Sequence, residues 1–358
     1  MNLDCVEKIA EAVLYEGYML YPYRASAVKN QQRWNFGVLC PRSYSEQQEG
    51  SDAWMMQTEC LLDANASTRL SVEVRFLQIV NRTIGKFPQP LHDLPEAAEP
   101  ECELVDKLIA GGKTFTPWQE AMERKLIITD LNPAAFTLHR HSLFEFRARR
   151  ELESITDQDN MKAGVVIREW KTLSGVVEIG LKQCRDALFK ATVRVRNLTP
   201  YELPQHESRA DALMHSFVSA HIILGAEGGR FVSQLDPPDE LRNLSSECRN
   251  IGAWPVLVGE VGARDRMLSS PIILYDYPQI APESPGSLFD GTEIDEILSL
   301  RIMTLTDDEK REMSQSDERA RQMLERTETM PVEQFMKLHG VLRGLRPLKP
   351  CSPQEETQ

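Results

Sequence analysis

Few residue groups in this 358-residue sequence have the types and spacing that chemistry requires. Gly111-Gly112-Lys113-Thr114 looks like the end of a phosphate loop. A true loop needs a glycine five positions before the second glycine here, so that backbone N–H groups can wrap the phosphate, and Lys107 stands there. Phe115-Thr116-Pro117 follows and does not open a helix, so a turn between strands is predicted. His139-Arg140-His141 puts two imidazoles on one side of an extended chain, which could hold one edge of a metal ion, but no further ligand stands nearby to complete the site. The apolar pattern predicts a helix over Ala210–Leu224. His215 and His221 are six apart on it, off the i,i+4 spacing that would pair two ligands on one face. Gly225, Gly228 and Gly229 follow that helix and read as its cap. Asp290, Glu293, Asp295 and Glu296 gather at the start of another predicted helix, where carboxylates complement the dipole, and their spacing is not that of a calcium loop.

The aromatic segment from Tyr15 to Trp34 stands out by composition. It sets Tyr15, Tyr18, Tyr21, Tyr23 and Trp34 beside Arg24, Lys29, Asn30 and Arg33. Amphipathic aromatics with arginine are the composition of a recognition surface. The same residues could instead bury against a sheet, and both readings stand. Arg147, Arg149, Arg194 and Arg196 project from one side of predicted strands, as an anion site or as a solvated face.

Four period-two patterns lie between His141 and Pro200 and position much of this inventory. Phe144 and Phe146 alternate with Glu145 and Arg147, Gly164–Thr172 follows, and Leu173-Ser174-Gly175 reads as a turn. Val177, Ile179 and Leu181 alternate next, and then Phe189, Ala191, Val193 and Val195 face inward while Lys190, Thr192, Arg194 and Arg196 face out. Short connections make such strands antiparallel. Further strands are predicted over Trp34–Cys40, Trp54–Leu62, Leu70–Val80, Leu104–Ile109, Leu126–Asp130, Trp254–Val261 and Ile272–Tyr275. Ser43–Asp52 and Gly85–Pro100 read as loops.

Leu3–Gly17 reads as an N-terminal helix. After Thr292 the pattern is helical and acidic: Thr306-Asp307-Asp308-Glu309 is a capping box, and Thr329 and Pro331 open a further helix. The predicted fold class is therefore α+β: mainly antiparallel β, a sandwich-like sheet body, with an N-terminal helix and a C-terminal helical arm. The expected divisions are an N-terminal α+β region at 1–137, the antiparallel sandwich-like region at 138–280, the acidic helical arm at 281–345 and a disordered tail at 346–358.

The formal charge of −13 argues against nucleic acid and anionic membrane as main partners, since both select basic patches. No apolar run approaches the roughly 20 residues of a membrane helix. The start of the chain lacks a signal-peptide pattern. Seven cysteines are scattered and never in Cys-x-x-Cys spacing, which fits free thiols in the cytoplasm. No metal and no cofactor is expected.

Two blocks carry a resemblance. One is Val13-Leu14-Tyr15-Glu16-Gly17-Tyr18-Met19-Leu20-Tyr21-Pro22-Tyr23-Arg24, continuing through Ser26, Lys29-Asn30 and Arg33-Trp34 to Phe36-Gly37-Val38. The other is Ser269-Ser270-Pro271-Ile272-Ile273-Leu274-Tyr275-Asp276-Tyr277-Pro278, with Ile280–Ser284 and Asp290–Leu298. Together they resemble uncharacterised bacterial proteins encoded beside [NiFe]-hydrogenase structural and maturation genes. The resemblance implies a part in hydrogenase biogenesis and brings no catalytic residues. It sets as the expected function a non-catalytic, chaperone- or scaffold-like assembly factor, whose protein partner is a hydrogenase subunit or maturation protein. The candidate interface is Tyr15, Tyr21, Tyr23, Arg24, Lys29, Asn30, Arg33 and Trp34 with Tyr275, Asp276 and Tyr277. The alternative is an enzyme of unknown reaction with its site between the sheet body and Tyr275–Glu283. A pocket converging Tyr23, Arg24, Asp276 and Glu283 would favour it.

Overall fold

The structure, a computed structural model, describes residues 9–10, 14, 37–94, 100–133, 138–202, 209–279, 302–316 and 318–331. Among the described residues there are fifteen strands: β1 (Met55–Asp63), β2 (Arg69–Leu91), β3 (Glu103–Leu104), β4 (Leu108–Ala110), β5 (Lys113–Phe115), β6 (Trp118–Leu131), β7 (Leu138–Phe146), β8 (Arg149–Thr156), β9 (Lys162–Trp170), β10 (Leu173–Arg185), β11 (Leu188–Asn197), β12 (Val218–Glu227), β13 (Arg230–Phe231), β14 (Trp254–Leu257) and β15 (Arg266–Ser270). The fold is α+β with a mainly antiparallel, sandwich-like sheet body, an N-terminal helical element and C-terminal helices, as the sequence predicts.

One sheet runs β13-β1-β11-β10-β7. The other runs β14-β15-β12-β2-β9-β8, with β6 and β3 also on β2. Strands from both sides of position 137 pair within each sheet: β1 with β11, and β2 with β9 and β12. β2 is the spine of its sheet. Its even residues Leu70, Val72, Val74 and Phe76 enter the sandwich core, where they meet Val177, Ile179, Ala191, Val193 and Val195 from the facing sheet. Leu77 and Ile79, on the opposite face, build a second cluster with Leu14, Val38, Cys40, Tyr44 and Val218.

The predicted inward set of β11 is buried: Phe189, Ala191, Val193 and Val195. Arg194 and Arg196 face outward but are only part-exposed, because both reach Glu178 and Arg194 also donates to Gln57 Oε1. The capping box forms, with the Thr306 N–H donating to Glu309 Oε2 at 2.7 Å and the Glu309 N–H to Thr306 Oγ1 at 3.3 Å. Gly111 and Gly112 make the turn of the β4–β5 hairpin, both with positive φ.

Several elements differ from expectation. The helix predicted over Ala210–Leu224 is a short helix, Arg209–Leu213, followed by β12. β12 is paired on both edges, by β15 and β2, and successive residues Val218–Ile222 are all buried, so both its faces are covered and its apolar run shows no alternation. Leu173-Ser174-Gly175 lies inside β10, not in a turn. β2 continues through the stretch read as a loop to Leu91. The predicted strand Leu104–Ile109 is split between β3 and β4. Residues Arg42–Gln47 form a helix inside the predicted Ser43–Asp52 loop, anchored by buried Tyr44. The helices Asp307–Ser316 and Glu318–Thr329 are joined by an ion pair, Lys310 Nζ to Glu328 Oε1 at 2.9 Å. Thr329 therefore ends a helix where one was expected to open. The predicted N-terminal helix is described only at Ile9, Ala10 and Leu14, all helical and buried. Residues 332–358 lie outside the described residues.

Val193 is fully buried at the centre of β11. Val193→Asp should cost about 3 kcal/mol or more through an unpaired buried charge. Chemical denaturation with an unchanged midpoint would show the register to be wrong.

Candidate interaction site

The loop that leaves β15 is held from three directions. Ser270 Oγ donates to the Ile272 carbonyl at 2.7 Å. Asp276 accepts from Ser233 Oγ at 2.5 Å and from the Leu257 N–H at 2.8 Å. The Tyr277 N–H donates to the Leu257 carbonyl at 2.7 Å. Ser233 Oγ in turn accepts the N–H groups of Leu235 and Asp236, so both Asp276 oxygens serve a network that pins the loop to β14. Tyr277 adopts a φ of 58° and packs against the sandwich core. That backbone is uncommon for a bulky residue, and the two anchors beside it hold it there.

Ile272–Tyr275 was expected to be a strand. The segment alternates as a strand does: Ile272 and Leu274 pack on the cluster of Ile9, Ala10, Val256, Val258 and Leu268, while Ile273 and Tyr275 project to solvent at 72% and 86% exposure. It is not a strand because it lies across the sheet face by its side chains instead of pairing along an edge. Of the candidate residues here, Tyr275 is available for contact, Asp276 is committed to the loop's own anchoring and Tyr277 is a packing residue. Ile273 is an exposed neighbour that sequence reasoning missed, since one apolar position in an alternating run gives no sign of which face lacks a cover.

Tyr15, Tyr21, Tyr23, Arg24, Lys29, Asn30, Arg33 and Trp34 lie outside the described residues. The end of their segment does not. Gly37 has a φ of 58°, and a Cβ placed there would stand 2.5 Å from Pro271 Cγ and 3.3 Å from the Ala220 carbonyl. The Gly37 carbonyl accepts the Ala220 N–H at 3.0 Å, and Leu39 bridges to Phe217. Only glycine fits such an approach at that φ. The two blocks that carry the resemblance, distant in sequence, thus touch through Gly37 and Pro271.

A buried polar group lies on the same side of the larger sheet. His221 is fully buried, opposite Arg75 in the β12–β2 register. Its Nδ1 faces the Ser219 carbonyl at 3.0 Å, and its Nε2 has no hydrogen-bond partner. Burial, with the Arg75 charge beside it, pushes its pKa down to about 4, so the ring is neutral. Arg75 is held by Glu123 through a short contact, with Glu73 at 3.9 Å, and Lys125 Nζ stands 2.9 Å from Glu73 Oε1. Beside this group is a cleft of about 290 Å³ lined by Ser71, Glu73, Ile127, Asp130, Ile223 and Gly225, among others. Glu73 serves Lys125 and Arg75, so it is not a free acid, and the cleft lies apart from Asp276.

The remaining candidates resolve as structure. Arg147 pairs with Glu145, Arg149 with Glu151, and Arg194 and Arg196 with Glu178, and Arg149 lies in a different sheet from Arg194 and Arg196, so these cations are each paired and are not gathered into one anion site. His139 and His141 are exposed on β7, and His141 Nδ1 is 3.6 Å from Glu178 Oε1. His215 and His221 share no helix, because β12 begins between them. Among the described residues no three His, Cys, Asp or Glu side chains gather as a metal site, and five cysteines are free. Burial pushes the Cys40 thiol up to about 11 and that of Cys60 higher, which keeps both protonated. Asp290, Glu293, Asp295 and Glu296 lie outside the described residues. No described helix is long and apolar enough to cross a membrane.

No protein-family model matches the sequence, and no curated protein matches it. Among solved structures, similarity extends to the secretin InvG of the Salmonella SPI-1 type III secretion injectisome, in its open-gate state. The identity is 10%, over 63% of this chain and 60% of that one, with a TM-score of 0.13. The alignment thus spans less than two thirds of the secretin chain, and a likeness at that score carries no argument.

Two measurements test this geometry. Gly37→Ala should lower stability by about 1 kcal/mol or more, because the new methyl meets Pro271 at a strained φ; an unchanged melting temperature would exclude the contact. His221 has a folded pKa below its unfolded value near 6.5, so the unfolded chain binds the extra proton first. Its contribution is constant above about pH 6.5 and is lost as pH falls toward 4, by about 3 kcal/mol in all. His221→Gln should flatten that part of the stability–pH curve; parallel curves for the two proteins would exclude a buried neutral ring.

Proposed function

We propose that this chain is a non-catalytic, protein-binding accessory factor in [NiFe]-hydrogenase biogenesis, acting on a hydrogenase subunit or maturation protein. The observation that carries this reading is the contact of Gly37 with Pro271. It brings the end of the first sequence block that resembles the hydrogenase-linked proteins, at Gly37, against the second, at Pro271. The second block there offers Ile273 and Tyr275 outward from a loop whose polar groups are spent on its own anchoring. A fixed loop that exposes an aromatic and an aliphatic side chain loses little entropy on binding, which suits protein recognition. The aromatic-basic segment Tyr15–Trp34 leads into Gly37 and is assigned to the same interface. The enzyme reading has less support, since Asp276, its carboxylate in the described part of Tyr275–Glu283, is committed to Ser233 and Leu257.

The test uses the purified chain with each purified hydrogenase subunit and maturation protein in turn, by calorimetry. Tyr275→Ala, Ile273→Asp and Arg24→Ala should each weaken the complex by about 1–3 kcal/mol at a hot spot, with an unchanged melting curve. Deleting the gene should lower active hydrogenase while leaving its transcript intact. Normal hydrogenase activity in the deletion strain would remove this reading and put the enzyme first.

A further inference from the structure

A sheet edge exposes unpaired N–H and C=O groups, and folded proteins cover it, shorten it or charge it. Most edges of this sandwich follow that rule. β14 is capped by the Asp276 and Tyr277 bonds to Leu257. β13 is only two residues long. β8 carries Arg149, Arg150, Glu151 and Glu153, and β6 carries Glu120, Glu123, Arg124, Lys125 and Asp130. β7 carries its charges only toward its ends, at Arg140 and Glu145. It ends its sheet, and among the described residues no strand pairs with it on the side away from β10. Its nine residues run in unbroken register with β10, without a bulge or proline. Its middle, Ser142-Leu143-Phe144, is uncharged, and Leu143 is 77% exposed.

We propose that β7 pairs antiparallel with β7 of a second copy of this chain, about a two-fold axis at Leu143, joining two five-stranded sheets into one. Symmetry restricts the register. Antiparallel pairs alternate between hydrogen-bonded and open, so a two-fold pairing must set one residue opposite its own copy. With the axis at Leu143, the outer face pairs Leu143 with Leu143 and His141 with Glu145, an apolar match flanked by two polar ones. Moving the axis to Ser142 sets Leu143 opposite His141, and moving it to Phe144 sets Leu143 opposite Glu145. The Leu143 register is the one of the three that sets Leu143 opposite an apolar residue, and it leaves His139 opposite Arg147, beyond the strand end. Edge pairing of one short strand is a small interface, so the dimer dissociates on dilution.

Sedimentation velocity on the full chain over a concentration series tests the pairing. The wild type should show a monomer–dimer equilibrium, and Leu143→Glu and Leu143→Lys should each raise the dissociation constant at least about tenfold by setting like charges face to face. Leu143 is exposed, so folding should be kept, and the melting curve checks it. Under mild oxidation Leu143→Cys should cross-link between copies, because facing Cα atoms lie within disulfide reach. Ser142→Cys should not, since it faces Phe144 of the other copy. A wild type monomeric up to about 0.1 mM overturns the proposal, as does a dimer that neither charge variant weakens. A monomer whose Leu143→Glu variant loses a hydrogenase partner also overturns it, and assigns the edge to strand addition by that partner.

Discussion

The sandwich depends on four phenylalanine rings meeting where one side chain is missing. Phe76 of β2 stacks on Phe217 at 4.6 Å between centroids, Phe144 of β7 lies 5.5 Å from Phe217, and Phe146 stands edge-on to Phe76 at 5.9 Å. The rings come from both sheets, so this contact sets how the layers face each other. Gly175 of β10 makes the room: a Cβ there would overlap Phe144 Cζ and stand 2.8 Å from Phe217 Cζ. Aromatic pairs in such geometry contribute about 0.5–1.5 kcal/mol each beyond their area. The same contact fixes β7 at the sheet edge, by its inward side chains and by β10, and leaves its far side open.

The opposite face of β2 obeys a different constraint. Its odd residues run from Ser71, Glu73 and Arg75 to Leu77 and Ile79, so one strand face passes from polar to apolar. The apolar end lies in the cluster with Leu14, while Ile9 and Ala10 cover the β14–β15 side beside Ile223. His221 sits on β12 between these patches, with Arg75 opposite. Covering both patches buries the polar group between them, so Arg75 needs Glu123 there. Leaving a buried cation without its carboxylate costs about 3–5 kcal/mol. The N-terminal helical residues therefore close an exposed sheet face, and Gly37, further along the same chain, arrives against Pro271 as part of that cover.

The parts of this fold legible in the sequence are those whose two faces differ. β11 could be read residue by residue because Val193 and Val195 enter the core while Arg194 and Arg196 meet Glu178 outside. β12 could not: both its faces are covered, and a run such as Val218–Leu224 fits a helix as well as a strand. Gly175 reads as a turn in the sequence because a glycine's use as a gap depends on Phe144 and Phe217, which the local sequence does not bring near. Asp276 was legible as a polar residue in a distinctive block. Its task was not, because Ser233 and Leu257 are tertiary partners. Ile273 was hidden by the symmetry of alternation, and which alternate faces solvent is decided by the cluster that Ile272 and Leu274 join.

Many of the charged groups of the described sheets are engaged with one another. Glu178 serves Arg194 and Arg196, Glu120 serves Arg82 and Arg168, and Glu59 accepts Thr192 Oγ1 and the Arg249 N–H. Such cross-pairing holds strands in register and gives a stiff frame. A stiff frame is useful for what it presents at its ends. β1 neighbours β14, beside which the loop with Ile273 and Tyr275 is anchored, whereas β7 packs by Phe144 and Phe146 on Phe76, with Arg124 of β6 over the Phe146 ring at 4.6 Å. β7 and the loop therefore pack on different strands, β7 on β2 and β6 and the loop on β14 and β15. The pairing proposed through β7 engages neither β14 nor β15 and would carry two copies of the loop on one body. A weak single contact becomes a strong one when two are made together, because the second forms at an effective concentration set by the frame. The open edge and the exposed loop would then be parts of one arrangement, in which the pairing proposed for the first supplies the valence for the contact proposed for the second.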